Sequence, residues 1–258
     1  MKQERFIACS ALPSLLAIAC LATTLAAAEP NPAPALPSVI AWKLKGTDPA
    51  QVTELDLSES FTLASSIQDQ ELAALKPMTR LLKLNLSFTT VGDAGLAHLK
   101  SLTQLQKLDL SGSTWVTDAG FAHLKSLTQL QMLNLWNTKI TDGGMAHLEP
   151  LTQLQELWLG RTKITDAGLM HLKPLTKLKR LLLCETSVSD AGLAHLEPLT
   201  QLQNLDLRGN NITDAGLKHL ESLTQLKQLW LSRTKVTKAG LDGLHKQLPK
   251  CYIQPAHK

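Results

Sequence analysis

The stretch LWLGRTKITDAGLMHLKPLTKLKR, residues 157–180, decides the fold. Its first part places Leu157 and Leu159 two residues apart, as in a strand whose alternate side chains point to opposite faces. Its second part, from Thr165 to Leu172, carries apolar residues at the spacing of a short helix. One such unit cannot bury its own leucines, so it predicts a structure only as part of a repeated array.

The same unit recurs along most of the chain. From the second leucine pair onward the step is 24 residues, except for one step of 25 between Leu108 and Leu133. We place the two insertions between strand and helix, in Ser58 to Ser66 and in Ser111 to Trp115. Stacked coils of this kind bury a continuous leucine core and pair their strands in parallel. The leucine pairs are Leu55/Leu57, Leu84/Leu86, Leu108/Leu110, Leu133/Leu135, Leu157/Leu159, Leu181/Leu183, Leu205/Leu207 and Leu229/Leu231.

Three further columns of residues recur with the leucines. An Asp stands where each helical segment starts, and we expect it to accept the free N–H groups of that segment's first turn. A Gly column predicts a tight approach between neighbouring coils, because Gly in a helix costs about 1 kcal/mol relative to Ala. A Thr after the strand, replaced once by Asn, is predicted to satisfy backbone groups in the bend. The Asp column is Asp93, Asp118, Asp142, Asp166, Asp190 and Asp214; the Gly column is Gly95, Gly120, Gly144, Gly168, Gly192, Gly216 and Gly240; the Thr column is Thr138, Thr162, Thr186 and Thr234, with Asn210.

These columns resemble the leucine-rich-repeat family from about Val52 to Ile253. The TDAGLxHL half is similar to the ribonuclease-inhibitor and cysteine-containing subtypes, and the PLTQLQxLxL half is similar to bacterial internalin-type repeats. The resemblance implies an α/β leucine-rich-repeat solenoid, a horseshoe arc with parallel strands on the concave face and short helices on the convex face. It also implies partner binding, the property that the family shares.

The N-terminal residues 1–28 have the pattern of a secretory signal. Basic residues precede an uncharged, mostly apolar stretch from Phe6 to Leu25, and small residues end at Ala28, where we expect cleavage. An uncleaved membrane anchor is one alternative, and a lipid anchor on Cys20 is another, because Leu16 to Cys20 resembles a lipobox. In each case the sequence predicts an exported protein that is periplasmic, at the cell surface or secreted.

The remainder of the chain divides by composition. Residues 29–50 are predicted to be a proline-rich spacer and N-terminal cap, in which the apolar stretch from Val39 to Leu44 covers the end of the array. Residues 51–253 are predicted to form about eight repeats of 24–29 residues, closed by a terminal strand at Cys251 to Ile253. Residues 254–258 form a tail.

Charge and cysteine content exclude several functional classes. The net charge is +4, with acidic and basic residues interspersed, so no nucleic-acid surface is predicted. Only Cys184 and Cys251 remain after the signal, and we expect both to be unpaired, since three coil steps separate them. No phosphate-binding loop or nucleophile constellation is present, so we predict a protein that is not an enzyme and has no cofactor.

A histidine recurs in six successive helical segments and is replaced by Gly243 in the last one. One interpretation is a metal or proton ladder, because imidazole is a common ligand. The other is a half-exposed helix residue copied with its repeat, which we favour because a structural zinc needs three or four converging ligands. We therefore predict no metal site. The column is His98, His123, His147, His171, His195 and His219.

The residues beside the strand leucines differ from copy to copy, and they carry the candidate site. They face away from the core, so they are free to encode recognition. In the middle of the array they become apolar and aromatic with charged neighbours, as at the centre of a protein interface. We predict a bound protein or peptide; the alternatives are a carbohydrate or cell-envelope polymer, or a substrate-receptor-like adaptor role. The predicted residues are Met132, Trp136, Trp158, Arg161, Arg180, Leu182, Cys184 and Trp230.

Overall fold

A computed structural model describes residues 38–58 and 67–254, and within them the strands form one parallel sheet in chain order. The predicted signal sequence, Cys20 and the core of the first insertion lie outside the described residues. The strands are β1 (Glu54–Asp56), β2 (Lys83–Asn85), β3 (Lys107–Asp109), β4 (Met132–Asn134), β5 (Glu156–Trp158), β6 (Arg180–Leu182), β7 (Asn204–Asp206), β8 (Gln228–Trp230) and β9 (Tyr252–Gln254). Their leucines are in register, as Leu157 with Leu181. The predicted parallel sheet and the terminal strand are confirmed.

Short helices return the chain from each strand to the next. A longer helix, α1 (Ser38–Leu44), precedes the sheet and packs Ile40 and Leu44 into the core. The other α-helical segments are α2 (Asp93–Leu96), α3 (Asp118–Phe121), α4 (Asp142–Met145), α5 (Asp166–Leu169), α6 (Asp190–Leu193) and α7 (Lys238–Gln247). The 3-10 segments are Pro49–Gln51, Asp69–Leu75, Ala97–Ser101, Leu124–Ser126, Ala146–Leu148, Met170–Leu172, Ala194–Leu196 and Gly216–Leu220. No helix of the described residues is both long and apolar enough to cross a membrane.

The Asp column connects neighbouring coils. Asp118, the first residue of α3, accepts hydrogen bonds from the backbone N–H of Thr141 at 2.8 Å and from its hydroxyl. The helix that follows, α4, is capped by Thr141 itself, whose hydroxyl accepts from the N–H of Gly143 at 3.3 Å. The expectation that each Asp caps its own helix is therefore wrong. The same link joins Asp93 to Thr117, Asp142 to Thr165, Asp166 to Ser189, Asp190 to Thr213 and Asp214 to Thr237.

The Gly column makes room for that link. A Cβ atom on Gly144 would lie 2.5 Å from Oδ1 of Asp118, so any larger residue there displaces the carboxylate. The predicted tight approach between coils is confirmed. The Gly column extends to Gly240, which makes room for Asp214, whereas the Asp column ends at Asp214, because Lys238 holds its position in the last described helix and no described helix follows.

The Thr column fills the bend after each strand. The hydroxyl of Thr138 donates to the carbonyl of Leu135 at 2.8 Å, as predicted. Asn210, which replaces Thr once, donates to the carbonyls of Leu183 and Leu207 and accepts from the N–H of Val188. The residue before this position takes a left-handed backbone in each bend from β2 to β8. These residues are Phe88, Gly112, Asn137, Arg161, Glu185, Gly209 and Arg233.

Candidate functional site

The strand face is the surface formed by the residues on either side of each strand's buried leucine and by the two residues after the second leucine. Its composition changes along the sheet. The polar half, from β1 to β3, carries acidic, amide and lysine side chains, and the aromatic half, from β4 to β8, carries the predicted site. Within that site Arg161 and Arg180 are exposed, and the other predicted residues are half-buried. Those residues are Met132, Trp136, Trp158, Leu182, Cys184 and Trp230.

Trp136 lies against the next coil of the array. A Cβ on Gly160 would lie 2.8 Å from Cδ1 of Trp136 and 2.6 Å from Sγ of Cys184, so only glycine leaves room between these side chains. The guanidinium of Arg161, which follows Gly160 in the same coil, stacks 5.0 Å from the centre of the Trp136 ring. Trp136 is therefore held in place by its neighbours, with part of its ring open to solvent.

Trp158 pairs with Asn134 on one side and with Leu182 on the other. Its indole Nε1 is buried and has no hydrogen-bond partner, and no other side-chain nitrogen or oxygen of the described residues is left so. A buried donor without an acceptor costs about 1–3 kcal/mol. Trp158 is half-buried, although it lies on the strand face and points away from the leucine core.

An ionic network runs along the edge of the aromatic half. Glu185 accepts from Nε of Arg161 at 2.7 Å and from Nη2 of Arg233, two coils further on. Its side chain crosses Gly209, where a Cβ would lie 3.1 Å from its Cγ. The hydrogen bonds from Arg233 and Arg161 lower the pKa of the Glu185 carboxyl below its usual value. The network thus orders two exposed arginines beside the tryptophans.

Asp206 and Arg208 form a separate ion pair. The pairing of these two residues was not predicted from the sequence. The guanidinium binds the carboxylate in a bidentate manner, with Nε at 2.9 Å and Nη2 at 2.6 Å, while Asp206 is 2% exposed. Burial, followed by the nearby Asp206 charge, raises the pKa of the Cys184 thiol. Cys184 is therefore protonated at neutral pH and is a poor nucleophile. The sequence Asp206-Leu207-Arg208 could have predicted the ion pair, because residues two apart in an extended chain lie on the same face.

The polar half contains a shallow depression of about 360 Å³ that the predicted site includes only at Met132. Within it Lys83 and Glu54 form an ion pair at 2.5 Å. The alternation of lysines and acids beside the leucines was the signal for it. Its lining residues are Glu54, Leu55, Asp56, Lys83, Leu84, Asn85, Lys107, Asp109 and Met132.

Three exposed aromatic residues also lie outside the predicted site: Phe88, Trp115 and Tyr252. Phe88 is 57% exposed in a left-handed bend after β2, and Trp115 is 62% exposed after β3. Trp115 stands in the single 25-residue repeat, and Lys139 of the next coil lies 5.2 Å from its ring centre. The extra residue in that repeat could have predicted that Trp115 departs from the repeated pattern and is exposed.

The histidine column has partners on neighbouring coils. Nδ1 of His171 lies 2.7 Å from Oε1 of Glu149, and His219 lies equally close to Glu197. Burial, followed by the charge of Lys125, lowers the pKa of His147. Across residues 38–58 and 67–254, no group of three or more His, Cys, Asp or Glu side chains is placed to hold a metal ion.

Comparisons with known proteins agree with this architecture. The family model "Leucine Rich repeats (2 copies)" matches residues 200–244, and "Leucine Rich repeat" matches residues 79–100. The structure of an internalin C2 from Listeria monocytogenes is 24% identical and covers 86% of this chain and 92% of its own, with a TM-score of 0.68. An internalin InlF from the same organism is 23% identical over 72% of this chain and 71% of its own, with a TM-score of 0.48. No curated protein sequence matches the chain.

The likeness to internalin C2 is one of fold, since fewer than a quarter of the residues are identical. The two family matches lie near the two ends of the repeat array, and the parallel sheet continues in one register between them. The same Asp and Gly columns run through that interval. The chain therefore carries leucine-rich repeats, and its fold is that of a leucine-rich-repeat solenoid.

Proposed function

We propose that the chain is an exported, non-catalytic binding module that holds a protein or peptide on the aromatic half of its strand face. The proposal rests on one observation: the residues that stack the coils repeat, whereas the residues of the strand face vary from coil to coil. Leucine, Asp, Gly and Thr columns repeat in nearly every coil, whereas the strand face changes to Trp158 and Leu182 in the middle of the array and to Trp230 near its end. Stacking requires the framework, but it does not require those side chains.

The anatomy of this surface is that of a protein-binding site. Trp and Arg dominate the binding energy of protein interfaces, where a central apolar patch is ringed by polar groups. Here half-buried aromatic rings are bordered by Arg161, Arg180, Arg233 and their carboxylate partners. Because these side chains are already ordered, a partner binds them at a low cost in conformational entropy.

The absence of catalysis and the export are parts of the same proposal. The raised pKa of Cys184 removes the only thiol of the strand face as a nucleophile at neutral pH. Export rests on the signal-like pattern of residues 1–28. N-terminal sequencing of the protein recovered outside the cytoplasm tests it, with a mature chain that begins after Ala28 as the expected result.

A capture experiment with matched variants tests the binding site. The intact chain and a Trp136→Ala/Trp158→Ala variant are used to retain partners from the exported fraction. We expect the variant to lose about thirtyfold or more in affinity, since one truncated aromatic anchor typically costs ~2 kcal/mol. Trp115→Ala is the matched control, because it removes the same side chain from a different surface. His171→Ala controls for the helical side.

The outcome is interpretable only if folding is monitored. Thermal unfolding is followed by circular dichroism for every variant, and Trp158→Phe is added because it keeps a ring while it removes the buried N–H. Binding lost by Trp115→Ala and kept by the double variant would place the site elsewhere. A glycan array that responds to the Trp136/Trp158 change, with no protein retained, would establish the polymer-binding alternative.

A further inference from the structure

The rims of the aromatic half carry an unbalanced positive charge. Immediately before the strands β6 and β8 stand Lys179 and Lys227, and the bends on the opposite edge carry lysines in three coils. In the same two columns from β4 to β8 no acidic side chain is present. From this asymmetry, and on the basis of the function proposed above, we infer that the partner presents an acidic segment to the aromatic half. The rim lysines are Lys139, Lys163, Lys179, Lys227 and Lys235.

The charges on the strand face from β4 to β8 are close to balance, so the rim lysines determine the sign of the local electrostatic potential. Asp206 is neutralised by Arg208, Glu156 by Arg180, and Glu185 by two arginines. The rim lysines have no such compensation among these contacts: Lys179 and Lys227 donate to the uncharged amides of Gln155 and Gln203, each at 3.0 Å. A carboxylate that arrives at this surface therefore meets a net positive field.

The arginines supply specific acceptor sites in addition to that field. Each guanidinium has five N–H donors in a planar fork that matches a carboxylate. Arg161 uses only Nε on Glu185 and stacks on Trp136, so its Nη groups are presented beside an aromatic ring. An acidic side chain next to an apolar one in the partner fits this pair of neighbours.

The other surfaces formed by residues 38–58 and 67–254 lack this positive excess. In the polar half, Glu54, Asp56 and Asp109 accompany Lys83 and Lys107, so the charges there nearly cancel. On the helical side, Glu149, Glu197 and Glu221 accompany Lys125, Lys173 and Lys218, so the charges there also nearly cancel. An acidic ligand is therefore directed to β4–β8, because steering follows the local field and not the net charge.

A protein segment fits this surface better than a uniform polyanion. Glu156 and Glu185 lie on the face between the arginines, and they repel a ligand that carries charge at every unit. An acidic segment with apolar side chains interspersed places its carboxylates on the arginines and its apolar groups on Trp158, Leu182 and Trp230.

The test selects ligands from a displayed library of random short peptides on the whole chain. A rim variant, Lys163→Gln/Lys179→Gln/Lys227→Gln, is compared with an outer variant, Lys125→Gln/Lys173→Gln/Lys218→Gln, which loses the same charge from the helical side. We expect enriched peptides to be rich in Asp and Glu and to weaken as salt rises. The rim variant should associate with them about tenfold more slowly, and the outer variant at the original rate.

Each other outcome overturns the inference in a recognisable way. Neutral or basic peptides that bind in a Trp158-dependent manner would refute the acidic partner and leave the proposed function intact. Equal losses in the rim and outer variants would show that only net charge matters. Heparin that binds through the rim lysines and displaces every peptide would assign the surface to polyanions. Peptides that bind Trp158→Ala as well as they bind the intact chain would refute the proposed function itself.

Discussion

Asp142 accepts two hydrogen bonds from Thr165 of the next coil, one from its backbone N–H at 2.8 Å and one from its hydroxyl at 2.6 Å. The Oδ1 atom that receives the N–H also occupies the space that a side chain on Gly168 would need. The two columns are thus one device, in which a carboxylate ties coils together and a glycine gives it room. Its repetition from Asp93 to Asp214 ties each of these coils to its successor by the same contact.

Breaking this device should lower the free energy of unfolding. Asp142→Ala leaves the Thr165 N–H without its charged acceptor, and we expect a loss of about 3 kcal/mol. Gly168→Ala overpacks the same site and should cost about 1–3 kcal/mol. The double variant should cost about 1 kcal/mol less than the sum, because removal of the carboxylate frees the space for the new methyl group.

Urea denaturation of the three variants measures this coupling. Lys238→Ala is the control, since Lys238 holds the column position of the last coil and makes no link onward; its effect should stay within about 0.5 kcal/mol. Strictly additive losses would show that the glycine is required for another reason.

Gly160→Ala should disturb the packing of the Trp136 side chain. The new methyl group would meet both Trp136 and Cys184 well inside van der Waals contact, so the ring must move outward. We expect a red-shifted tryptophan fluorescence and a loss of about 1–3 kcal/mol in the free energy of unfolding. Gly243→Ala in α7 is the matched control, because nothing lies within 4 Å of the added atom. There the better helix propensity should stabilise the protein by up to about 1 kcal/mol.

The Glu185 network should make stability depend on pH in the acidic range. Its pKa is lowered from an ordinary value of 4.5 by Arg233 and Arg161, so the ionised form stabilises the folded state. That contribution is complete above pH 4.5 and disappears as the pH falls through the lower folded-state pKa. The melting temperature of Glu185→Gln should lie below that of the intact chain at neutral pH, and the two should converge on acidification. A gap that persists at low pH would mean that charge is not its cause.

The two cysteines should react slowly and separately. Burial raises the pKa of Cys251 to about 11, and burial followed by Asp206 raises that of Cys184. Alkylation of both by iodoacetamide should therefore be slow at neutral pH and rise about tenfold per pH unit, because the thiolate is the nucleophile. The unfolded chain, with ordinary thiol pKa values near 8.5, is the control.

Non-reducing peptide mapping of the exported protein complements this measurement. Cys184 follows β6 and Cys251 precedes β9, so three strand steps of ~4.8 Å, roughly 14 Å in all, separate their strands. Both thiols are free in the structure. A recovered Cys184–Cys251 disulfide would contradict this arrangement, since bridged residues have Cα atoms within about 7 Å.

The order and direction of the strands followed from the spacing of the leucines. Residues 24 apart, such as Leu157 and Leu181, hold equivalent positions in neighbouring coils. The period alone therefore predicts which side chains lie in the core and which lie on the strand face. The terminal strand, the tight approach at the Gly column and the role of Thr138 were predicted on the same ground. The repeat period is set by residue spacing alone, so it can be read directly from the linear sequence.

The partners of the polar side chains required the tertiary structure. The bond from Thr165 to Asp142 depends on the distance and the rotation between coils, which no spacing along the chain contains. For the same reason the reach of Glu185 across Gly209 to Arg233 was not predicted. The sequence by itself determined the repeat, the sheet and the residues that face outward. Only the stacking of the coils decided which of those residues are half-buried, paired in charge or, like Nε1 of Trp158, left without an acceptor.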